Sequence, residues 1–378
     1  MNILCINNNT GSRIWRLTPY LDYASVQGNG VMMHNIGQDV REEELIWADV
    51  VIVQMVLERR IIDLAHKYGC TVIYEIDDLI EKVTKNHPNY INMTRISTRW
   101  RTFNCIRKCD AIFCSNQNIL ERYGRYNKHP FLVPNLVNVN FWGKPHNPNT
   151  GRHIRIGWAG SFAHYEDLKF FQPIIKRILQ KYDNTKFIYV GMGGWKGESP
   201  HAKFNYGEDL FNEIPVDRRE YHQGVAPEFW PEKLASLQLD IGVAPVIDNE
   251  FSRAKTPIKW MEYGINKVPG VFSTCLYGDT VKEQVDGFVA SETHGFFNRL
   301  CYLIENKDFR EKMGNAAYER ILKDFNIINF KPIWMKEVIK ILASSPKSYR
   351  VRKDKAKLEF QQAFREENQK LRQMRGEN

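Results

Sequence analysis

The sequence predicts an α/β protein built from two doubly wound domains facing a cleft, with additional helices at the C-terminus. Three observations carry this expectation. Strand-length apolar runs alternate with amphipathic helical stretches from the first residue to about residue 330, the pattern of parallel sheets covered by helices. The alternation breaks at Gly143-Lys-Pro-His-Asn-Pro-Asn-Thr-Gly-Arg152, a Pro/Asn/Gly-rich stretch without periodicity that reads as a linker. The chain's 378 residues suffice for two hydrophobic cores. The expected boundaries are 1–145 for the first domain, 146–330 for the second, and 331–378 for a crossover helix and a basic helical tail.

In order along the chain, residues 2–7, 49–54, 71–76, 110–114 and 130–133 read as strands of the first domain. In the second, Ile154-Arg-Ile-Gly-Trp-Ala, Lys186-Phe-Ile-Tyr-Val, Ile241-Gly-Val-Ala and Gly270-Val-Phe-Ser are strands, with a helix from about Tyr165 to Tyr182 after the first of them. Trp334 to Leu342 reads as an amphipathic helix, Ser344-Ser-Pro346 as a break, and Asp354 to Met374 as a last helix charged on most faces. Doubly wound sheets bind ligands outside the carboxyl ends of their strands, so the residues to examine are those just after strands.

Composition narrows the classes. Hydrophobic residues make up 43% and charged residues 26% of the chain, as in globular proteins. Its apolar runs stop short of the roughly 20 residues that span a bilayer. The N-terminus enters a strand directly, without a signal peptide, and seven cysteines, an odd number, sit mostly in apolar patterns. A cytoplasmic protein without stable membrane insertion is expected, or one in the host cytoplasm if the source is viral. Cys105, Cys109 and Cys114 lack CxxC spacing and a nearby His at ligand spacing, so no metal site is expected there. The net charge of +9 is concentrated in Lys347 to Asn378, which carries +5. Such a tail suits a polyanion or is a solvated helix.

The most informative segment is Asp248-Asn-Glu-Phe-Ser-Arg-Ala-Lys-Thr-Pro-Ile-Lys-Trp-Met-Glu-Tyr-Gly264. Thr256 suits an N-cap and Pro257 the first helical position, so a helix should start there and run through Tyr263. Its first-turn N–H groups form an anion site, to which Lys255 and Lys259 add charge. Glu262 lies one turn beyond Ile258, where a carboxylate can accept from the vicinal hydroxyls of a ribose. An ordinary capped helix with surface Lys and Glu is the competing interpretation.

Lys255-Thr-Pro-Ile-Lys-Trp-Met-Glu-Tyr-Gly264 with Pro269-Gly-Val-Phe-Ser273 resembles the donor signature of retaining glycosyltransferases of family four, which have the GT-B fold. In that family a helix bearing a ribose-binding Glu precedes a Gly-x-Pro-Val-Val-x-Ser strand. Further likenesses follow in order. Gly157-Trp-Ala-Gly-Ser161, with Gly160, resembles the first donor-domain loop, Val190-Gly-Met-Gly-Gly194 the loop after its second strand, and Gly224-Val225 the segment edging the base. In the first half, Gly11-Ser-Arg-Ile-Trp-Arg16 with Pro19 resembles the N-terminal Gly/Arg loop, which includes Arg13, and Tyr74-Glu-Ile-Asp-Asp78 the acidic strand end. Val133-Pro-Asn-Leu-Val-Asn138 resembles a Pro-Asn-Gly-Val-Asp turn. One position departs: Ala254 stands where the family has the first of two glutamates. Glu250 or Asp248 could substitute.

The resemblance implies two Rossmann-like domains, an acceptor-side one first and a nucleotide-sugar donor domain second. It implies transfer of a sugar from a nucleoside diphosphate, UDP first, to an acceptor hydroxyl with retention, and no cofactor or metal beyond that co-substrate. Lys255 and Lys259 would stabilise the leaving diphosphate. Asp77 and Asp78, at the rim after a buried-looking strand, could bond an acceptor or sugar hydroxyl, one serving as base, or could cap the helix after Leu79. Ser161 and His164 could reach phosphate or sugar oxygens. On the acceptor side, Arg95, Arg99, Arg101, Arg107 and Lys108 interleave with Trp100 and Phe103, a pattern that suits nucleic acid, or a helix with its aromatics buried and its arginines solvated. The first acceptor expected is a hydroxymethylated pyrimidine in double-stranded DNA, flipped from its stack. A surface polysaccharide or lipid-linked glycan is the alternative, and a binding module without turnover is a third reading.

Overall fold

A computed structural model describes residues 1–8, 11–35, 37–85, 90–145, 148–191 and 210–374. The chain divides into two compact units, one formed by residues 1–77, 95–134 and 329–378, the other by 78–94 and 135–328.

The first unit holds a parallel sheet of six strands: β1 (Asn2–Asn7), β2 (Gly30–Asn35), β3 (Val50–Gln54), β4 (Thr71–Ile76), β5 (Ala111–Cys114) and β6 (Pro130–Leu132). Their order is β2-β1-β3-β4-β5-β6. β3, β4 and β5 are buried along their whole length, which is why they read as unbroken apolar runs. β2, on the edge, is half-buried throughout and was not foreseen. The helix Lys331–Ser344 packs on Thr18–Val26, with Trp334 stacked on Tyr20 at 5.2 Å between ring centroids. After the break at Ser345, the last helix runs Lys347–Met374. It is not solvated all round. Lys353 is buried and donates to the carbonyls of Leu45 (2.6 Å) and Ala48 (2.5 Å), near the end of helix Glu42–Trp47. Gly69 makes that packing possible, since a Cβ there would lie 2.1 Å from the Tyr349 carbonyl oxygen.

The second unit repeats the plan with β7 (Ile154–Gly160), β8 (Thr185–Gly191), β9 (Arg219–His222), β10 (Ile241–Ala244), β11 (Gly270–Ser273) and β12 (Phe288–Ala290). All pairings are parallel, in the order β12-β11-β10-β7-β8-β9. The expected helix after β7 runs Tyr165–Lys181 and buries Leu168, Phe171, Ile174, Ile175 and Ile178 against the sheet. β9 and β12, the two strands not foreseen here, are both edges.

All seven cysteines are free thiols, six of them buried. Among the described residues no helix is long and apolar enough to cross a membrane. No group of three or more His, Cys, Asp or Glu side chains among them is placed to hold a metal ion.

Candidate functional site

In the second unit the strand order reverses between β7 and β10. Crossovers leave this point on opposite faces, so a crevice opens outside the carboxyl ends of these strands. The loops that follow β7 and β10 carry Gly160–His164 and Pro245–Pro257, which include most of the donor-side candidates.

Three glycines meet on one side of this point. Gly191, ending β8, has φ +87°, and a Cβ there would fall 1.9 Å from the Gly160 carbonyl oxygen at the end of β7. Only glycine tolerates both conditions. A Cβ on Gly224, just past β9, would lie 3.8 Å from the Gly191 Cα. Backbone therefore lies bare at the ends of three adjacent strands, and Val225 beside it is 38% exposed. Gly193 and Gly194, of the same expected loop, lie outside the described residues.

A chain of hydrogen bonds ties the neighbouring loops together. His164 Nδ1 lies 2.7 Å from Asp167 Oδ2, and Asp167 Oδ1 accepts from the Ile247 amide at 2.7 Å. The adjacent Val246 amide donates to Ser273 Oγ at 2.7 Å, at the end of β11. Burial lowers the His164 pKa, and the positive charge of Lys255 lowers it further, against the pull of Asp167. In the neutral ring Nδ1–H donates to Asp167, which leaves Nε2 an acceptor. An acceptor there suits a sugar hydroxyl, one of the two partners expected of His164. Ser161 is exposed at the head of the same loop.

The helix after β10 departs from expectation at its start. It runs Ile258–Ile265 with Pro257, not Thr256, at the cap position, and no side chain caps it. The Ile258 amide turns back to the Thr256 carbonyl at 2.7 Å. This tightens the Thr-Pro turn, and the Thr256 hydroxyl accepts instead from Asn135 Nδ2 at 3.0 Å. Glu262 is 4% exposed. Its Oε2 accepts from Lys259 Nζ at 2.7 Å and its Oε1 from the Trp230 indole N–H at 3.0 Å. Lys259 thus reaches forward to the carboxylate. Lys255 lies over the Phe251 ring at 4.7 Å.

Ala254 is buried at the end of the short helix Glu250–Arg253. The two carboxylates offered in its place point into pairs of their own: Glu250 with Lys82 at 2.9 Å and Asp248 with Arg253 at 2.6 Å. Sequence reasoning missed Asp167 and Trp230, and it quoted Asn135 within the Val133–Asn138 turn without giving it a role. Only Asp167 left a signal, an acid in the first helical turn three residues after His164.

In the first unit, Arg16 is 1% exposed and bonds Glu75 Oε1 through Nε at 2.5 Å, while its Nη1 donates to the Val133 carbonyl. Burial pushes the Glu75 carboxyl up to about 7, although Arg16 pulls it down. Asp77 adds negative charge to this cluster. Arg16 is therefore an internal residue, whereas Gly11 is exposed and Arg13 half-buried at the start of the short helix Arg13–Arg16. The turn Ile80–Lys82 has Leu79 at its cap position, and the Ile80 amide donates to the Asp78 carbonyl at 3.1 Å. Arg95 caps the helix Ile96–Lys108, which buries Thr102, Cys105 and Ile106. Trp100 projects away from that stripe, 65% exposed, contrary to the buried alternative, while Arg99 and Phe103 are half-buried.

No family model and no curated protein matches the chain, but solved structures do. Sucrose-phosphate synthase from Thermosynechococcus elongatus superposes with a TM-score of 0.69 at 11% identity, over 91% of this chain and all of that one. A glycosyltransferase from Rickettsia africae gives 0.65 at 12% identity, over 91% of this chain and 99% of that one. HepE from Anabaena, solved with UDP-glucose, gives 0.63 at 11%, over 90% of this chain and 100% of that one. The chain has the GT-B fold, with two parallel six-stranded sheets surrounded by helices.

Proposed function

We propose that the protein is a retaining glycosyltransferase that binds a nucleotide sugar, UDP-sugar first, at the β7/β10 point of its second unit. The observation that carries this is the buried Glu262 carboxylate, held by Lys259 and Trp230 on a helix that starts where the loop after β10 ends. A carboxylate so held accepts from the two hydroxyls of a ribose. The bare glycine backbone at Gly160, Gly191 and Gly224 leaves room for a ligand to approach closely. HepE, of the same fold, was solved with UDP and with UDP-glucose.

In the proposed reaction the bond from the anomeric carbon to the diphosphate breaks as the acceptor oxygen bonds to the same face. The acceptor proton passes to the departing phosphate, giving a nucleoside diphosphate and the glycosylated acceptor. No separate base is needed. The first turn of Ile258–Ile265 and Lys255 stabilise the charge that develops, with Ser161 placed for donor oxygens and the neutral His164 for a sugar hydroxyl. Calorimetric titration with UDP, ADP and GDP tests the donor reading. Slow release of nucleotide from matched sugar donors tests turnover; binding without release would favour a module that has lost catalysis.

For the acceptor we propose hydroxymethylpyrimidine DNA. The helix Ile96–Lys108 carries Arg99, Arg101, Arg107 and Lys108 and no acidic residue, with Trp100 exposed among them. Cations beside a free aromatic ring suit a phosphate backbone and an unstacked base. Retention on such DNA at low salt, weakening as salt rises, is the expected result. Absence of retention moves the assignment to a surface polysaccharide or lipid-linked glycan.

A further inference from the structure

Trp230 belongs to none of the sequence motifs, yet it touches the residue on which the donor reading rests. It opens the helix Trp230–Ser236, which follows β9 and the Gly224-Val225 segment. Two polar contacts pin that helix. Its Lys233 Nζ lies 2.8 Å from His222 Nδ1, whose other ring nitrogen is 2.6 Å from Glu220 Oε1. Its Trp230 N–H meets Glu262 across 32 positions of sequence. Lys259 completes the group, its ammonium 5.4 Å from the centroid of the Trp230 ring.

We infer that Trp230 is a positioning residue that makes Glu262 selective for ribose over 2′-deoxyribose; the inference rests on the donor reading above. An ionised carboxylate offers about four acceptor positions on its two oxygens. Lys259 takes one on Oε2 and Trp230 one on Oε1, so each oxygen keeps capacity for one vicinal hydroxyl. Lys259 alone is a weak constraint, because its charge rides on a flexible four-carbon stem. The indole N–H is a single donor on a rigid plane, and it fixes the rotation of the carboxylate. A site arranged to bond a hydroxyl discriminates against the analogue that lacks it, because its own polar group is then left unpaired.

The test is calorimetric titration of the full chain and of Trp230→Phe with UDP and with 2′-deoxy-UDP. Phenylalanine keeps an aromatic face for Lys259 and removes only the N–H. The unaltered protein should prefer UDP, and Trp230→Phe should lose roughly tenfold in UDP affinity, the scale of one hydrogen bond to a charged group. Affinity for 2′-deoxy-UDP should change less, so the ratio narrows. Trp230→His, which restores a ring N–H, should recover part of the ratio. Equal weakening of both nucleotides, or an unchanged ratio in a variant whose melting curve matches the parent's, would overturn the inference. Failure of the unaltered chain to bind UDP, ADP or GDP would instead sink the donor reading itself.

Discussion

Both units are six-stranded parallel sheets, but their strand orders differ, β2-β1-β3-β4-β5-β6 against β12-β11-β10-β7-β8-β9, and so do the residues that finish their strands. In the second, β7 and β8 end in glycine and Gly224 follows just past β9, and the polar groups around them are half-exposed or tied to one another along the rim. In the first, the residues at the ends of the strands turn inward. Arg16, Glu75 and Gln54 are all buried, and Arg16 binds both Glu75 and the Val133 carbonyl. The same fold therefore leaves bare glycine backbone in one unit and builds a locked polar core in the other, and fold likeness alone does not tell them apart.

The comparison breaks most visibly at Arg16. Arg16→Ala leaves Glu75 in an apolar interior, and loss of one partner of a buried pair costs about 3–5 kcal/mol; denaturant unfolding should show that loss with no change attributable to ligand. Glu262→Ala should weaken UDP by roughly tenfold to a hundredfold in calorimetry, with a stability loss of about 1–3 kcal/mol, smaller than at Arg16 because Lys259 is only partly buried. Unchanged UDP affinity in that variant would remove the functional half of the contrast. Gly191→Ala forces a side chain into a left-handed backbone against the Gly160 carbonyl. A stability loss of about 1–3 kcal/mol is expected, together with weaker UDP binding, because the ledge itself must shift.

The finest distinction is in pH. Burial raises Glu75 from 4.5 to about 7 in the folded chain, so between those values the folded state holds more protons than the unfolded one. Stability contributed by this group is then fully present below pH 4.5 and is lost as pH rises through about 7. His164 runs the other way, since its folded pKa is lowered: its contribution is present above the ordinary histidine value and is lost as pH falls. Unfolding curves across pH 5–8 for Glu75→Gln and His164→Gln, set against the parent, should each lose one of these opposed slopes.

Much of the architecture was legible because central strands such as β3, β4 and β10 are buried on both faces and so read as continuous apolar runs. The three strands missed, β2, β9 and β12, are all edges. An edge strand has one neighbour and needs no unbroken apolar run, so Arg-Glu-Tyr-His at β9 carries almost no strand signal. The candidate site divides in the same way. Gly160, Gly191, Gly224 and Glu262 were found because local backbone geometry and helix position write them into short motifs. Trp230 was not, and Asn135 was quoted in a motif without its role, because each acts on a residue more than 30 positions away.

By itself, the sequence determined the alternation of strands and helices and the residue types of the segment around Glu262. These are local properties, set by hydrophobic period and turn chemistry. The tertiary structure alone decided which polar groups meet: that Arg16 faces Glu75, that Thr256 serves Asn135 instead of capping a helix, and that Glu262 is held from both sides. Hydrogen bonds between distant elements depend on how strands are ordered and helices are laid across them, and no spacing along the chain records that order.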